Sequence, residues 1–477
     1  LRDFSLASDS AGVTLTSDLL DGRLTGSYSV PRLLGSVKSI LSGSQPALTG
    51  AAAEGAHSAV NPSAAKGTGR NKGAARNSNI GRNNFDFTFR VKECDAMARF
   101  FNLPVSAVYP IDIKGYIRDA EGEMAVELDA PYLRQGNKVI EATRLEASAT
   151  PKATRLNLTT KAPTQKGFLN LRLNADGGND NILTTVDWNV ERERAYNGHV
   201  EALSSFSRAP GGNLLSRVDL RRSRLTFNDS TWTVNPATIE ANGSRYIRVD
   251  GINVHRNNQY VKINGTIAET DDALLTLDLL NFNLDYLFES LGIDKVMLGG
   301  DATGTFYASH LFDQVPHLET PGLSVSDISY NKVVLGDALV KSHWDAGRKA
   351  ITLDAAITEE GRRSYVDGAI FPMADSLDIS FRVDHVDVAF MQPYMEAFAS
   401  DIHGHASGEC RLWGSFKYID LEGDVFADDL SMKINFTNTT YTARDSVHFR
   451  PGLIDLNGIT IRDVEGHTAD LNGYVKH

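Results

Sequence analysis

The chain has 477 residues, 42% of them hydrophobic and 23% charged, with a formal net charge of −12. This balance suits a folded chain, and the acidic excess argues against nucleic acid as a partner, since phosphate-backbone binding depends on Lys and Arg. No window approaches the roughly 18 apolar residues needed to cross a bilayer, no basic start leads into an apolar signal core, and with Leu1 first the sequence reads as part of something longer.

In chain order, residues 1–42 supply a strand followed by an amphipathic stretch near Pro31 to Leu41, where a short helix is predicted. Residues 43–83 are rich in Ala, Gly, Ser and Asn and carry Lys66, Arg70, Lys72, Arg76 and Arg82 with almost no aromatic residues. Such a composition buries too little surface to order itself, so a disordered, basic loop is expected there.

Three later stretches repeat one design: Phe87 to Asp95 (FTFRVKECD), Leu275 to Asn283 (LTLDLLNFN) and Ile379 to Asp387 (ISFRVDHVD). Each alternates apolar and polar residues, as a strand with one apolar face does. Each then slips one residue out of phase, from Val91 to Cys94, Leu279 to Phe282 and Val383 to Val386, which is the trace a bulge leaves in sequence. Each closes on Asp95, Asn283 or Asp387, placed as the N-cap of a short helix (96–102, 284–291 and 388–398), although Pro393 must shorten the last. Asn283 and Asp387 lie 104 positions apart, and the same offset relates Gly300 to Gly404, Gly304 to Gly408 and Phe312 to Phe416. An offset held that long is an internal repeat, and repeats bury their apolar faces against their neighbours. The expected layout is divergent β repeats over 84–270 and two clearer ones over 271–372 and 373–477. The fold class predicted is mainly β, an elongated, curled, repetitive sheet forming a groove, with short capping amphipathic helices.

No catalytic constellation emerges. The chain lacks a G-x-S-x-G elbow, a P-loop, a dinucleotide-binding G-x-G-x-x-G and an H-E-x-x-H helix. His403 and His405 form the tightest histidine pair, and their repeat equivalents, Gly299 and Asp301, point to a turn and away from a metal site. Asp176 to Asn181 (DGGNDN) lacks the ligand order of a calcium loop and reads as a turn. Glu191 to Arg194 and Arg221 to Arg224 read as solvated charge clusters, and Cys94 and Cys410 as small hydrophobes in apolar slots. The expectation is a protein that is not an enzyme, with no cofactor and no metal.

Gly404 to Ile434 (GHASGECRLWGSFKYIDLEGDVFADDLSMKI) resembles a unit of the TamB family, the translocation and assembly module subunits related to AsmA-like proteins. The resemblance lies in Gly404 and Gly408, the turn of Gly414, Ser415 and Phe416, then Leu421, Gly423, Asp429 and Leu430. A looser copy runs from Met297 to Ile328. It implies a periplasmic protein of a diderm bacterium, anchored in the inner membrane by a segment outside this chain. It also implies a greasy groove for phospholipid acyl chains and an outer-membrane β-barrel partner of the TamA type. Phe87, Phe89, Leu275, Leu277, Leu279, Ile351, Leu353, Leu377, Ile379, Phe381 and Val383 are the expected groove lining. The alternative is an assembly scaffold for outer-membrane barrels acting through its sheet edges.

Overall fold

The computed structural model describes residues 4–9, 12–50, 82–92, 106–107, 110–135, 138–164, 167–285 and 298–476. It is mainly β, 70% strand against 8% helix, as the period-two patterning predicts. The chain divides into two compact units, Leu1–Ile252 and Asn253–His477.

In the first unit, successive strands pair antiparallel with their neighbours, from Ser5–Ser8 through Leu20–Ser27, Asn84–Val91, Ile111–Arg118, Glu123–Gln135 and Lys138–Ala149 to Asn197–Arg208. Beyond this the strands break at Arg221 and Arg222, so that Leu214–Leu220 and Ser223–Phe227 both pair with Asn197–Arg208. DGGNDN is a hairpin turn, with Asn179 and Asp180 both left-handed (φ 52° and 57°) between paired Gly178 and Asn181.

Helix α1 (Leu33–Ser44) lies where the amphipathic stretch predicts a helix, and α2 (Pro46–Thr49) follows it directly. Residues 43–50, expected to be disordered, are therefore ordered. Pro46 sits in the first turn of α2, where its missing N–H costs nothing, and Ser44, Gln45 and Ala47 are buried against hairpins of the sheet. Asn83, at the far end of the same basic stretch, is likewise buried and hydrogen-bonded; residues 51–81 lie outside the described residues, as do Cys94, Asp95 and the helix predicted at 96–102.

The second unit is a meander from Gln259–Ala268 through Leu275–Asn283, Leu298–Ser309, His317–Tyr330, Val333–Asp345, Ala350–Glu359 and Arg362–Phe371 to Ser376–Asp387, then His405–Ser415, Tyr418–Ile434 and Thr439–Arg450. The slips read in the sequence are bulges. Pairing skips between Leu279 and Phe282 and between Val383 and Val386, with Asn281 (φ 47°) and His385 (φ 56°) left-handed. Each bulge is held by the same bond one repeat apart: Asn281 N–H donates to Thr303 Oγ1 (2.9 Å) and His385 N–H to Ser407 Oγ (2.8 Å).

Both described caps form as Asx turns. Asn283 Oδ1 accepts from Asp285 N–H (3.0 Å) and Asp387 Oδ1 from Ala389 N–H (2.8 Å). The helix expected over 388–398 is instead a 3-10 turn, Val388–Met391, followed by α3 (Gln392–Met395), because Pro393 can stand only in a first turn. Only Leu284 and Asp285 of the helix expected at 284–291 are described.

A candidate ligand-binding face on each unit

Alternation along one strand becomes a continuous face only if the cross-strand register keeps apolar positions opposite one another. Here it does. In the first unit one lateral row takes a single residue from each of ten strands: Leu15, Gly22, Phe89, Ile113, Leu128, Leu145, Leu158, Leu173, Val186 and Val200. The row beside it carries Phe87, and the Phe85, Phe87 and Phe89 rings follow one another at 5.9 and 5.8 Å.

In the second unit a row runs Val261, Leu279, Gly304, Leu323, Val340, Ala355, Val366, Phe381, Cys410, Gly423 and Phe449. A neighbouring row joins Leu353 to Ile379 and Leu412 through Gly368, and the next joins Trp344, Ile351, Ile370 and Leu377. Leu275, Leu277, Leu279, Ile351, Leu353, Leu377, Ile379, Phe381 and Val383 thus share one face of the second unit. Phe87 and Phe89 lie on the apolar face of the first. The lateral row from Leu279 reaches Phe381, one pleat short of its repeat equivalent Val383.

These side chains are mostly half-buried. A cluster of Leu279, Ala302, Leu323, Val325 and Ala338 is buried, with Leu277, Phe282, Phe306 and Val340 packed against it, all from the sheet itself except Leu284 just after Asn283. Cys410 occupies an apolar slot opposite Phe381 and Gly423, as its position in the repeat predicts, and burial pushes its thiol pKa up to about 11. A surface concavity of about 800 Å³ in the first unit is lined by Leu171, Trp188 and Gly198 together with polar side chains such as Lys161, Arg172 and His199.

The opposite face carries most of the charged side chains, ion-paired and solvated, with Leu339, Tyr365 and Phe426 exposed among them. Arg411 donates two hydrogen bonds to Asp378 (2.7 and 2.9 Å) and holds its carboxyl below the usual carboxylate range. Hydrogen bonds from His448 and Arg450 do the same for Asp424. Arg382 meets Glu409 directly across the ladder at 2.9 Å, and in the first unit Lys114 meets Glu127 at 2.7 Å.

His403 and His405 stand on strands Ala399–His403 and His405–Ser415, one on each side of Gly404, and not in a turn. His405 stacks on His385 (3.9 Å) and approaches Asp429 (3.2 Å). After Asp387, Met391 and Met395 are half-buried, while Phe398 (40%) and Tyr394 (55%) are exposed. This segment docks on the hairpin at Asn331, whose Nδ2 donates to Phe390 O (3.0 Å), while the Tyr330 and Tyr394 hydroxyls hydrogen-bond.

The first-unit row from Leu128 to Val200 was not singled out in the sequence. Its signal is present in the alternation of Leu156 with Leu158 and of Leu169, Leu171 and Leu173. No family model, curated protein or solved structure matches this chain.

Proposed function

We propose that this chain is a non-enzymatic conduit whose apolar sheet faces take up phospholipid acyl chains. The observation that carries the reading is the register: rows of apolar side chains or glycine cross ten and eleven strands without a polar interruption, and most of those side chains are only half-buried. A lipid chain laid on such a face gains about 0.8 kcal/mol per buried CH₂ at each position, so moving between equivalent positions costs little net free energy. The polar, ion-paired face would stay in water. By its resemblance to TamB units, the reading extends to a periplasmic location, an inner-membrane anchor elsewhere in the longer protein and a barrel partner of the TamA type.

Two measurements test it. Mass spectrometry of an organic extract of the purified protein should find phospholipid. Photo-crosslinkers at Leu277 and Phe381 should capture it, while those at Asp278 and Arg382, on the opposite face, should not. Equal capture on both faces, or none on either, removes the conduit and favours the assembly scaffold.

A further inference from the structure

The row of the first unit nearest α1 differs from its neighbours. Gly26, Phe85, Ile117, Met124, Ala149, Thr154 and Gly177 stand opposite one another in successive strands. Phe85 (6%), Ile117 (5%) and Ala149 (1%) are buried there, whereas Phe87, Ile113, Leu145 and Leu158 one or two pleats away are half-buried. The covering layer is α1, whose Ile40 belongs to the same buried cluster and whose Leu33, Val37 and Leu41 pack against it.

Four successive hairpins at that end of the strands each bind the helices. At the first, Asn83 Nδ2 donates to Ser36 Oγ (2.7 Å), and both Ser36 Oγ–H (2.8 Å) and Asn83 N–H (2.7 Å) donate to Asp119 Oδ2. At the second, Ser44 and Thr154 hydroxyls bond at 2.6 Å. At the third, Asp180 Oδ1 accepts from Ala47 N–H (2.7 Å), its own N–H donates to Ser44 O (3.1 Å), and Gln45 Nε2 donates to Asn181 O (3.0 Å). At the fourth, Arg208 Nε donates to Ala47 O (2.7 Å).

We propose that α1 and α2 form a latched side wall which closes one edge of the first unit's apolar face to an apolar occupant. The identity of the occupant as an acyl chain rests on the conduit reading; the wall does not. Its latches are polar and sit in the hairpin turns (Asp119, Asp180) or at the strand ends that flank them (Thr154, Asn181, Arg208), so the wall can be released without breaking the strand ladder. The hairpins select its position, because the latch residues cluster at one end of the strands.

The test uses the full chain with Cys94→Ala and Cys410→Ala, carrying one cysteine at a time at Ile113 (open row), Ile117 (walled row) or Leu158 (open row, distant). Dodecyl maleimide should label the cysteine at 113 at least about tenfold faster than that at 117. Adding Asp180→Ala with Arg208→Ala should bring the two rates within about twofold while leaving position 158 unchanged. Hydrogen exchange over residues 33–49 should rise in the same variant, which covers the case in which a cysteine at 117 perturbs packing. Equal labelling of 113 and 117 with the latches intact, or an unchanged ratio with unchanged exchange after they are removed, overturns the wall. Ethyl maleimide separates the two ideas: if it labels 113 as fast as the dodecyl reagent does, the apolar-occupant reading fails while the wall stands.

Discussion

Gly198 lies directly under the Trp188 indole, and a Cβ placed there would come within 2.2 Å of the ring. Large side chains on these faces are accommodated by a missing one across the ladder, a contact that period-two reading does not reveal. Gly198→Val should displace the indole and destabilise the first unit by about 1–3 kcal/mol, seen as an earlier urea midpoint in Trp fluorescence. A second residue-scale consequence concerns His317, which stacks on Trp344 (4.4 Å) and lies near His310 (4.2 Å), with Asp313 and Glu319 as the facing carboxylates. Burial, followed by the neighbouring His310, lowers its pKa, so the folded state holds it neutral where the unfolded chain would protonate it. Its contribution to stability is present above the unfolded pKa of about 6.5 and is lost as pH falls below that value. The melting temperature should accordingly drop between pH 7.5 and 5.5, and His317→Phe should flatten that drop; an unchanged slope in the variant contradicts the assignment.

The bulges were legible because a change of phase is written directly in the order of apolar residues, at Leu279 to Phe282 and Val383 to Val386. The caps were legible because Asn283 and Asp387 stand where an extended segment gives way to a helical turn. Less could be read of residues 43–50, since the bonds that order Ser44, Gln45 and Ala47 come from Thr154, Asp180, Asn181 and Arg208, more than a hundred positions away. Composition alone predicts disorder for such a stretch; three distant hairpins override it. The left-handed bulge residues give the element-scale prediction. Asn281→Val and His385→Val place a branched Cβ in a conformation that disfavours it and should cost about 1–2 kcal/mol each. The corresponding glycine variants should lose clearly less, which thermal melts of the four variants would show.

At the scale of the molecule, the mainly β class and the 104-residue offset followed from alternation and glycine spacing. The lateral rows did not, because a row is made of residues from different strands and its course depends on every register in between. The first unit makes the point: no individual strand was singled out over 119–245, yet Leu128, Leu145, Leu158, Leu173 and Val186 continue the row that Phe89 and Ile113 begin. The ion pairs of the polar face are solvent-exposed, as with Arg382 and Glu409 (67% and 73%), so they contribute little stability; what they fix is which face meets water. The row that leaves Leu279 arrives at Phe381 and not at Val383. Six strand steps of about 4.8 Å carry it roughly 29 Å sideways, while Val383 lies about 7 Å further along its strand. One repeat is therefore not a pure sideways translation: it also climbs along the strands by about a quarter of its width, as a thread does. Equivalent side chains one repeat apart lie on a slanted line, and a straight row of opposed residues crosses that line instead of following it.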